Sequence, residues 1–396
     1  MSPSLNVLVL DLTSRTPPYD RAFCEALFNH GHNVELWASG CHTDDFKGIE
    51  VPRRNGLLDL AAHISSLSAR ATKQAKAVEY LFNLVSLTTY LWRTRPDVLH
   101  VQWLPLLEVF PVIELTLLRL CQYWDIRVVY TAHDVLPLEN GEEHYDTFRR
   151  VYHAVDRLIC HTKTARRRLI DEFDVASSKT CLIPHGPLLQ GAADYSRDEA
   201  RLLQSLPSDR PIVLLFGVLR AYKGVDLLID AWERVEQTVP EALLIIAGGG
   251  QEDYLEEIQE DIDASGDTNI RTRLRFLPED ELIQLIASAD LLVYPYRRIT
   301  QSGALFAGMS AGKAIVATRV GGLKETLQDG ETARLVEPNN SEELSEAITR
   351  LLRNPDQREQ LGSAAKAVID EQYSWEAIAQ ETTQCYHDGI SRSIQV

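Results

Sequence analysis

Short apolar runs alternate along the chain with amphipathic stretches, and that alternation predicts most of the architecture. The opening run NVLVLDL reads as a buried strand, TSRTPPYDRAFCEALFNHGH as a loop and a helix stopped at Gly31, and NVELWAS as a second strand. Together they make a βαβ unit. PDVLHVQW, IRVVYTAHD, DRLICHT and KTCLIPHG predict four more strands, with helices at 148–155 and 163–173 and a long, mostly helical region at 57–94.

A second series follows. PIVLLFGVL, ALLIIAGGG, IRTRLRFLP, DLLVYPY, KAIVAT and ARLVE predict strands, separated by helices at 226–237, 251–263, 279–288, 302–311, 323–328 and 341–353. Strand–helix alternation in both halves predicts an α/β protein of two doubly wound domains, each binding at the carboxyl ends of its strands. The cleft between the domains is the expected site. The expected boundaries are 1–190 for the first domain, 191–210 for a linker rich in Gly, Ala, Ser and Asp, and 211–373 for the second domain. A tail helix within 374–396 ends the chain.

Composition narrows the function. With 396 residues, 45% of them hydrophobic, the chain is long enough for two cores. The formal charge of −17 is uneven: residues 1–190 carry 20 basic and 22 acidic side chains, so nearly all the excess acid lies beyond them. An acidic second half argues against a nucleic-acid partner. The six cysteines (Cys24, Cys41, Cys121, Cys160, Cys181, Cys385) show no CxxC pair and no regular framework, which suits a reducing compartment and buried or inert thiols. The first residues read as a strand and not as a signal peptide, so a cytoplasmic protein is expected. Peripheral contact with the inner membrane face stays open, through a basic-aromatic helix bearing Lys73, Lys76, Phe82, Trp92 and Arg93.

Two stretches of the second half carry anion-binding chemistry. In FGVLRAYKGVDLLIDAW, Arg220 and Lys223 follow a strand and Gly224 opens a helix, which places cations where a diphosphate can lie. In RRITQSGALFAGMSAGKAIVAT, Thr300, Gln301 and Ser302 can cap a helix and Gly303 lets a ligand approach the backbone. Close helix–sheet packing explains the small residues Ala304, Ala307, Gly308, Ser310 and Ala311, but it does not need Gln301 or the basic pair Arg297 and Arg298. The glycines of AGGGQ lack the spacing of the dinucleotide fingerprint and read as a turn with room for a nucleotide. Asp261 and Asp263 read as a solvated helix face. In the first half His133 and Asp134 follow a strand, and His100 and His185 hold similar strand ends.

The motifs FGVLRAYKGVDLLIDAW, LLIIAGGG, LIASADLLVYPY, SGALFAGMSAGKAIVATRVGGLKETLQDGETARLVEPNN and YSWEAIAQ together resemble the nucleotide-binding half of GT-B glycosyltransferases, within family four of retaining enzymes that use nucleotide sugars. The order of elements fits this resemblance along nearly the whole chain. It implies two Rossmann-like domains facing each other across a cleft, with a tail helix that crosses back to the first domain. It also implies a GDP- or UDP-linked sugar donor as co-substrate, no other cofactor, no metal, and a glycan or lipid-linked acceptor.

Carried over by position, the resemblance implies catalytic roles for His133, Arg220 and Lys223. Donor contacts fall on Gly217, Gly249, Thr300, Gln301, Ser302 and Gly303, and acceptor contacts on Tyr19 and Asp134. The family arginine five residues before the lysine is Val218 here, so its charge is assigned to Arg220. Two glutamates that the family carries around the helix tip fall on Ile299 and Ala307, which marks a subgroup with TQSG and makes Glu325 the substitute for ribose recognition. The implied reaction is transfer of a hexose with retention, as in surface polysaccharide or glycoconjugate synthesis. A sugar-nucleotide epimerase of the same fold and a non-catalytic sugar-nucleotide binder are the alternatives.

Overall fold

A computed structural model describes residues 3–38, 49–55, 69–107, 110–137, 141–189, 191–266 and 269–388, with the backbone alone for 55, 69–77 and 193. Two compact units divide the chain: Met1–Pro184 with Trp375–Val396, and His185–Ser374.

In chain order the first unit holds β1 (Asn6–Asp11), α1 (Pro17–Asn29), β2 (Asn33–Ala38), β3 (Arg53–Asn55), α2 (Ala69–Thr94) and β4 (Val98–Val101). It continues with α3 (Pro111–Tyr123), β5 (Arg127–Ala132), α4 (Tyr145–Ala154), β6 (Arg157–Cys160), α5 (Lys163–Asp171) and β7 (Thr180–Leu182). The strands form one parallel sheet in the order β3-β2-β1-β4-β5-β6-β7. Strands covered on both faces are mostly apolar, and Val98–Val101 is buried at every position, His100 included. The order reverses direction between β1 and β4, which directs ligands to the carboxyl ends there. The expected helix at 57–94 is α2 from Ala69; its earlier part, 57–68, and the side chains of Lys73 and Lys76 lie outside the described residues.

The second unit holds α6 (Arg197–Leu203), β8 (Ile212–Phe216), α7 (Val225–Thr238), β9 (Leu243–Ala247), α8 (Glu252–Ser265), β10 (Ile270–Arg273) and α9 (Glu279–Ser288). After these come β11 (Leu291–Tyr294), α10 (Gly303–Ser310), β12 (Ala314–Thr318), α11 (Gly321–Thr326), β13 (Arg334–Val336), α12 (Ser341–Leu352) and α13 (Pro355–Gln372). Its parallel sheet runs β10-β9-β8-β11-β12-β13 and reverses between β8 and β11. The stretches expected to bind anions follow those two strands.

Two expectations need correction. The polar segment 191–210, read as a linker, is part of the second unit, because α6 lies within it and Arg201 is buried at 1% exposure. Arg201 donates to the Ser288 carbonyl (3.0 Å), the Ser208 carbonyl (2.9 Å) and Asp290 (2.6 Å), which ties α6 to the sheet. A buried arginine that satisfies so many acceptors stabilises packing that an apolar pattern does not reveal.

The second correction concerns the thiols. Cys181 and Cys385 form a disulfide, while Cys24, Cys121 and Cys160 are buried thiols; Cys41 lies outside the described residues. The bond joins β7 to the last helix, α14 (Trp375–His387), which belongs to the first unit. There His32 bonds Thr383 (2.8 Å), His100 bonds the Tyr386 hydroxyl (2.6 Å), and Arg127 donates to the Tyr386 carbonyl. Pairing of cysteines 204 positions apart follows from this tertiary contact and has no signature in their spacing.

Candidate functional site

β8 runs into Gly217, whose φ of +117° is a conformation that glycine alone adopts without strain. A β-carbon there would stand 2.8 Å from Lys223 Nζ and 3.8 Å from the Ala304 β-carbon. The ammonium therefore folds back over Gly217 on the side where α10 begins. Gly217 N–H donates to the Ala247 carbonyl (3.1 Å) and Leu219 N–H to the Gly249 carbonyl (2.7 Å), so this loop lies along the glycine turn after β9.

Lys223 closes a 3-10 turn, Ala221–Lys223, opened by Arg220, whose carbonyl accepts from Lys223 N–H (2.9 Å). Lys223 is only 7% exposed, and burial lowers its pKa below the ordinary lysine value. Its Nζ lies 5.2 Å from the centre of the Tyr296 ring. Among the described residues no carboxylate is within ion-pair distance of Lys223 or of half-buried Arg220.

Of the upstream basic pair, Arg297 is committed elsewhere. Its guanidinium bonds both Asp226 oxygens (2.8 and 2.5 Å), the Ala221 carbonyl (2.9 Å) and Asn339 (3.1 Å), and its N–H meets the Tyr222 carbonyl (2.7 Å). Burial pushes the Asp226 carboxyl up, yet Arg297 outweighs it and holds the group below the usual range. Arg297 thus clamps the turn that presents Lys223. Arg298 is exposed.

Ser302 caps α10, its Oγ accepting from Leu305 N–H at 3.2 Å. The first-turn amides of Gly303 and Ala304 remain donors at the positive end of the helix dipole. Tyr294 donates to the Ala304 carbonyl (2.8 Å), and a β-carbon on Gly308 would stand 2.5 Å from that same hydroxyl, so the small residues do let α10 sit tight on β11. Gln301 Oε1 accepts from Ser302 N–H (3.3 Å). The start of α11 approaches so closely that a β-carbon on Gly322 would collide with the Thr300 carbonyl and stand 2.7 Å from Gln301 Oε1. Gln301 thereby braces the loop. Glu325 is exposed on α11 and, after burial, helps raise the pKa of the Tyr373 phenol. His185 is buried, bonded to the Gly186 carbonyl (2.6 Å) and stacked on Phe306 of α10.

Phe276 escaped the sequence reading. RFLP looks like the end of a strand, but β10 stops at Arg273 and leaves Phe276 73% exposed, its ring against the backbone of Gly249. An exposed aromatic face beside a glycine turn can accept a stacked ring.

In the first unit His133 directly follows β5, half-buried, with Nε2 2.9 Å from Gln102 Oε1 and Nδ1 3.4 Å from His161 Nε2. Its ring stacks on Trp103 (4.8 Å between centres) and meets Tyr19 edge-on at 5.0 Å. Tyr19 is 2% exposed and packs also against Phe23 and Trp375, so it supports His133 from within the core. Asp134 is half-buried; after burial, its charge contributes to raising the Tyr130 and Tyr152 phenols. His100 is a core residue bonded to Tyr386 and to Thr131 (2.7 Å), and burial holds its pKa near 3. Gln102, Trp103 and His161 were not singled out by sequence, since each neighbours its partners only through adjacent strand ends.

Comparison with known proteins agrees with these units. Residues 196–368 match the model for glycosyl transferases group 1, and residues 21–187 match glycosyltransferase family 4. The chain is 26% identical over 290 residues to a D-inositol 3-phosphate glycosyltransferase of Corynebacterium aurimucosum, covering 68% of each. It is 25% identical over 389 residues to one of Paenarthrobacter aurescens, covering 94% of this chain and 92% of that one. With a Mycolicibacterium smegmatis relative of the same name the match spans 59% of the relative's length. Among solved structures, Anabaena HepE in complex with UDP-glucose superposes with a TM-score of 0.75 at 17% identity, over 96% of this chain and 98% of that one. Sucrose-phosphate synthase of Thermosynechococcus elongatus gives 0.75 at 19%, over 98% and 99%.

Proposed function

We propose that this chain, which belongs to the GT-B glycosyltransferases of group 1 and family 4, transfers a hexose from a nucleoside-diphosphate sugar to a glycan or lipid-linked acceptor with retention of configuration. The observation that carries the reading is Lys223: a mostly buried ammonium with no carboxylate in reach among the described residues. A buried charge without a counter-charge destabilises a fold, and an incoming diphosphate would neutralise it.

In this reading Lys223, Arg220 and the first-turn amides of α10 stabilise the charge that develops on the departing diphosphate, a kind of contribution worth roughly 3 kcal/mol per donor. Phe276, whose ring fills the space over Gly249, stacks on the base with its exposed side. Glu325 is assigned to the ribose, His133 to the transferred sugar, and Tyr19 and Asp134 to the acceptor side, with Tyr19 acting through His133. No metal is needed in this scheme, because cations and amides do the neutralising.

The names of the relatives favour a second acceptor, a phosphorylated polyol. One observation supports it: the Arg15 guanidinium lies 4.3 Å from the centre of the Trp103 ring, which itself stacks on His133. No described helix is long and apolar enough to cross a membrane. We extend the proposal to peripheral contact with an anionic bilayer through α2, where Val78, Leu81, Phe82, Val85 and Trp92 are 43–67% exposed and Arg93 and Arg95 follow. Pelleting with anionic liposomes at low and high salt tests that contact.

A thermal-shift panel of UDP-, GDP- and ADP-sugars, followed by NMR of the product's anomeric centre, tests the main reading. One donor should stabilise the protein and give a retained product. An inverted product, or donor binding without turnover on any glycan, lipid-linked or polyol-phosphate acceptor, contradicts it.

A further inference from the structure

Gln102, His133 and His161 stand at the carboxyl ends of the adjacent strands β4, β5 and β6 and form one hydrogen-bonded row that ends at the Ile183 carbonyl. The placement of hydrogens along this row is dictated from its buried end. A carbonyl only accepts, so His161 Nδ1, 2.9 Å from it, carries the hydrogen. His161 is 5% exposed, and burial holds its pKa near 4 although the bond to Ile183 pulls it upward. The ring is neutral, and its Nε2 is a lone pair.

His133 Nδ1 lies 3.4 Å from that lone pair and therefore donates to it. A neutral imidazole with hydrogen on Nδ1 is an acceptor at Nε2, and Nε2 faces the Gln102 amide at 2.9 Å. If the amide offers its NH2 group, both rings stay neutral, and the Gln102 oxygen takes the buried place at which the amide nitrogen otherwise has no partner. If it offers its oxygen, Gln102 Nε2 is left buried with no partner, and His133 must carry hydrogen on both nitrogens. Among the described residues, Tyr19 of α1 meets the ring edge-on at 5.0 Å, Asp134 is next in the chain, and Arg15 lies against Trp103.

We propose that Gln102 and His161 are positioning residues for His133, a role that rests on assigning His133 to the glycosyl-transfer site. His161 fixes hydrogen on Nδ1. The Gln102 amide, by presenting NH2 or oxygen, serves Nε2 in the neutral or the protonated ring, so His133 exchanges a proton with solvent at one defined nitrogen without losing a partner. This would give a half-buried histidine one orientation and one proton-accepting atom.

The test is two-bond 15N–1H spectroscopy of the full chain labelled at histidine, without donor, with His133 assigned by its loss in H133Q. Near neutral pH the wild type should show His133 as the Nδ1–H tautomer. In Q102E an acceptor-only side chain faces Nε2, so the protonation midpoint of His133 should rise by at least one pH unit. In H161F the anchor is gone, and the ring should revert to the Nε2–H tautomer; if that variant does not fold, Q102E still decides. An Nε2–H ring in the wild type, or an unmoved midpoint in Q102E, overturns the proposal. A purely structural role would alter melting and leave the tautomer alone. Because no sugar transfer is measured, failure of the transferase reading would appear separately, as correct tautomers in a protein without activity.

Discussion

Lys223 Nζ lies 2.8 Å from the point that a methyl group on Gly217 would occupy, so the conformation of one residue and the charge of the other are built together. The glycine supplies a left-handed backbone and the empty space above it, and the lysine fills that space with a cation.

Gly217→Ala should therefore injure both stability and binding. Alanine at a φ of +117° costs on the order of 1–3 kcal/mol, and its methyl displaces the ammonium. We expect a lower melting temperature and at least a tenfold loss of donor affinity by calorimetric titration. A destabilised variant with unchanged affinity would separate the contact from the donor site.

Lys223→Met should raise stability at neutral pH. Burial lowers the lysine's pKa in the folded state, so below that value the fold carries a charge it disfavours. Between the folded pKa and 10.5 the unfolded chain binds more protons, and stability rises with pH. Melting curves from pH 7 to 11 should show this rise in the wild type and a flatter profile in the variant. A variant less stable at pH 7 would mean that the ammonium is already compensated.

Glu114 should make the first unit less stable as pH rises toward neutrality. Burial raises its pKa to about 7, although the Tyr80 hydroxyl (2.6 Å) and Leu106 N–H (3.1 Å) bond its oxygen and pull the other way. Between about 4.5 and 7 the folded state holds a proton that the unfolded state has released, so stability falls across that window. Glu114→Gln should remove this component, roughly 3 kcal/mol, in paired denaturation curves at pH 4.5 and 7.5. An identical pH dependence in both proteins would exclude it.

Reduction should loosen α14. The Cys181–Cys385 bond closes a loop of 204 positions, and cross-links of this kind contribute about 2–4 kcal/mol, mostly by restricting the unfolded chain. Treatment with a phosphine reductant should lower the melting temperature of the wild type and leave Cys181→Ser unaffected. Equal melting of oxidised and reduced wild type would count against the cross-link.

The two doubly wound sheets were legible because buried parallel strands read as nearly continuous apolar runs and because Gly31 and Gly224 mark helix boundaries. The placement of Lys223 and Ser302 was legible for a related reason: both follow strands that flank the reversal of strand order. What escaped depends on contacts between segments distant in sequence. Arg201 looks like a loop residue until Ser288 and Asp290 surround it. Arg297 looks like a ligand cation until Asp226 takes both sides of its fork. Phe276 reads as the end of a strand and is left exposed against Gly249 because β10 stops early. The row from Gln102 to Ile183 joins four strand ends that no local pattern connects.

The most direct measurement is calorimetric titration of the wild type and of Lys223→Met with the nucleoside diphosphate sugar that stabilises the protein best. Saturable one-site binding to the wild type is expected, with a loss of at least tenfold, about 1.4 kcal/mol, in the variant. Equal affinity in the two proteins, or no binding of any nucleotide sugar to the wild type, would contradict it.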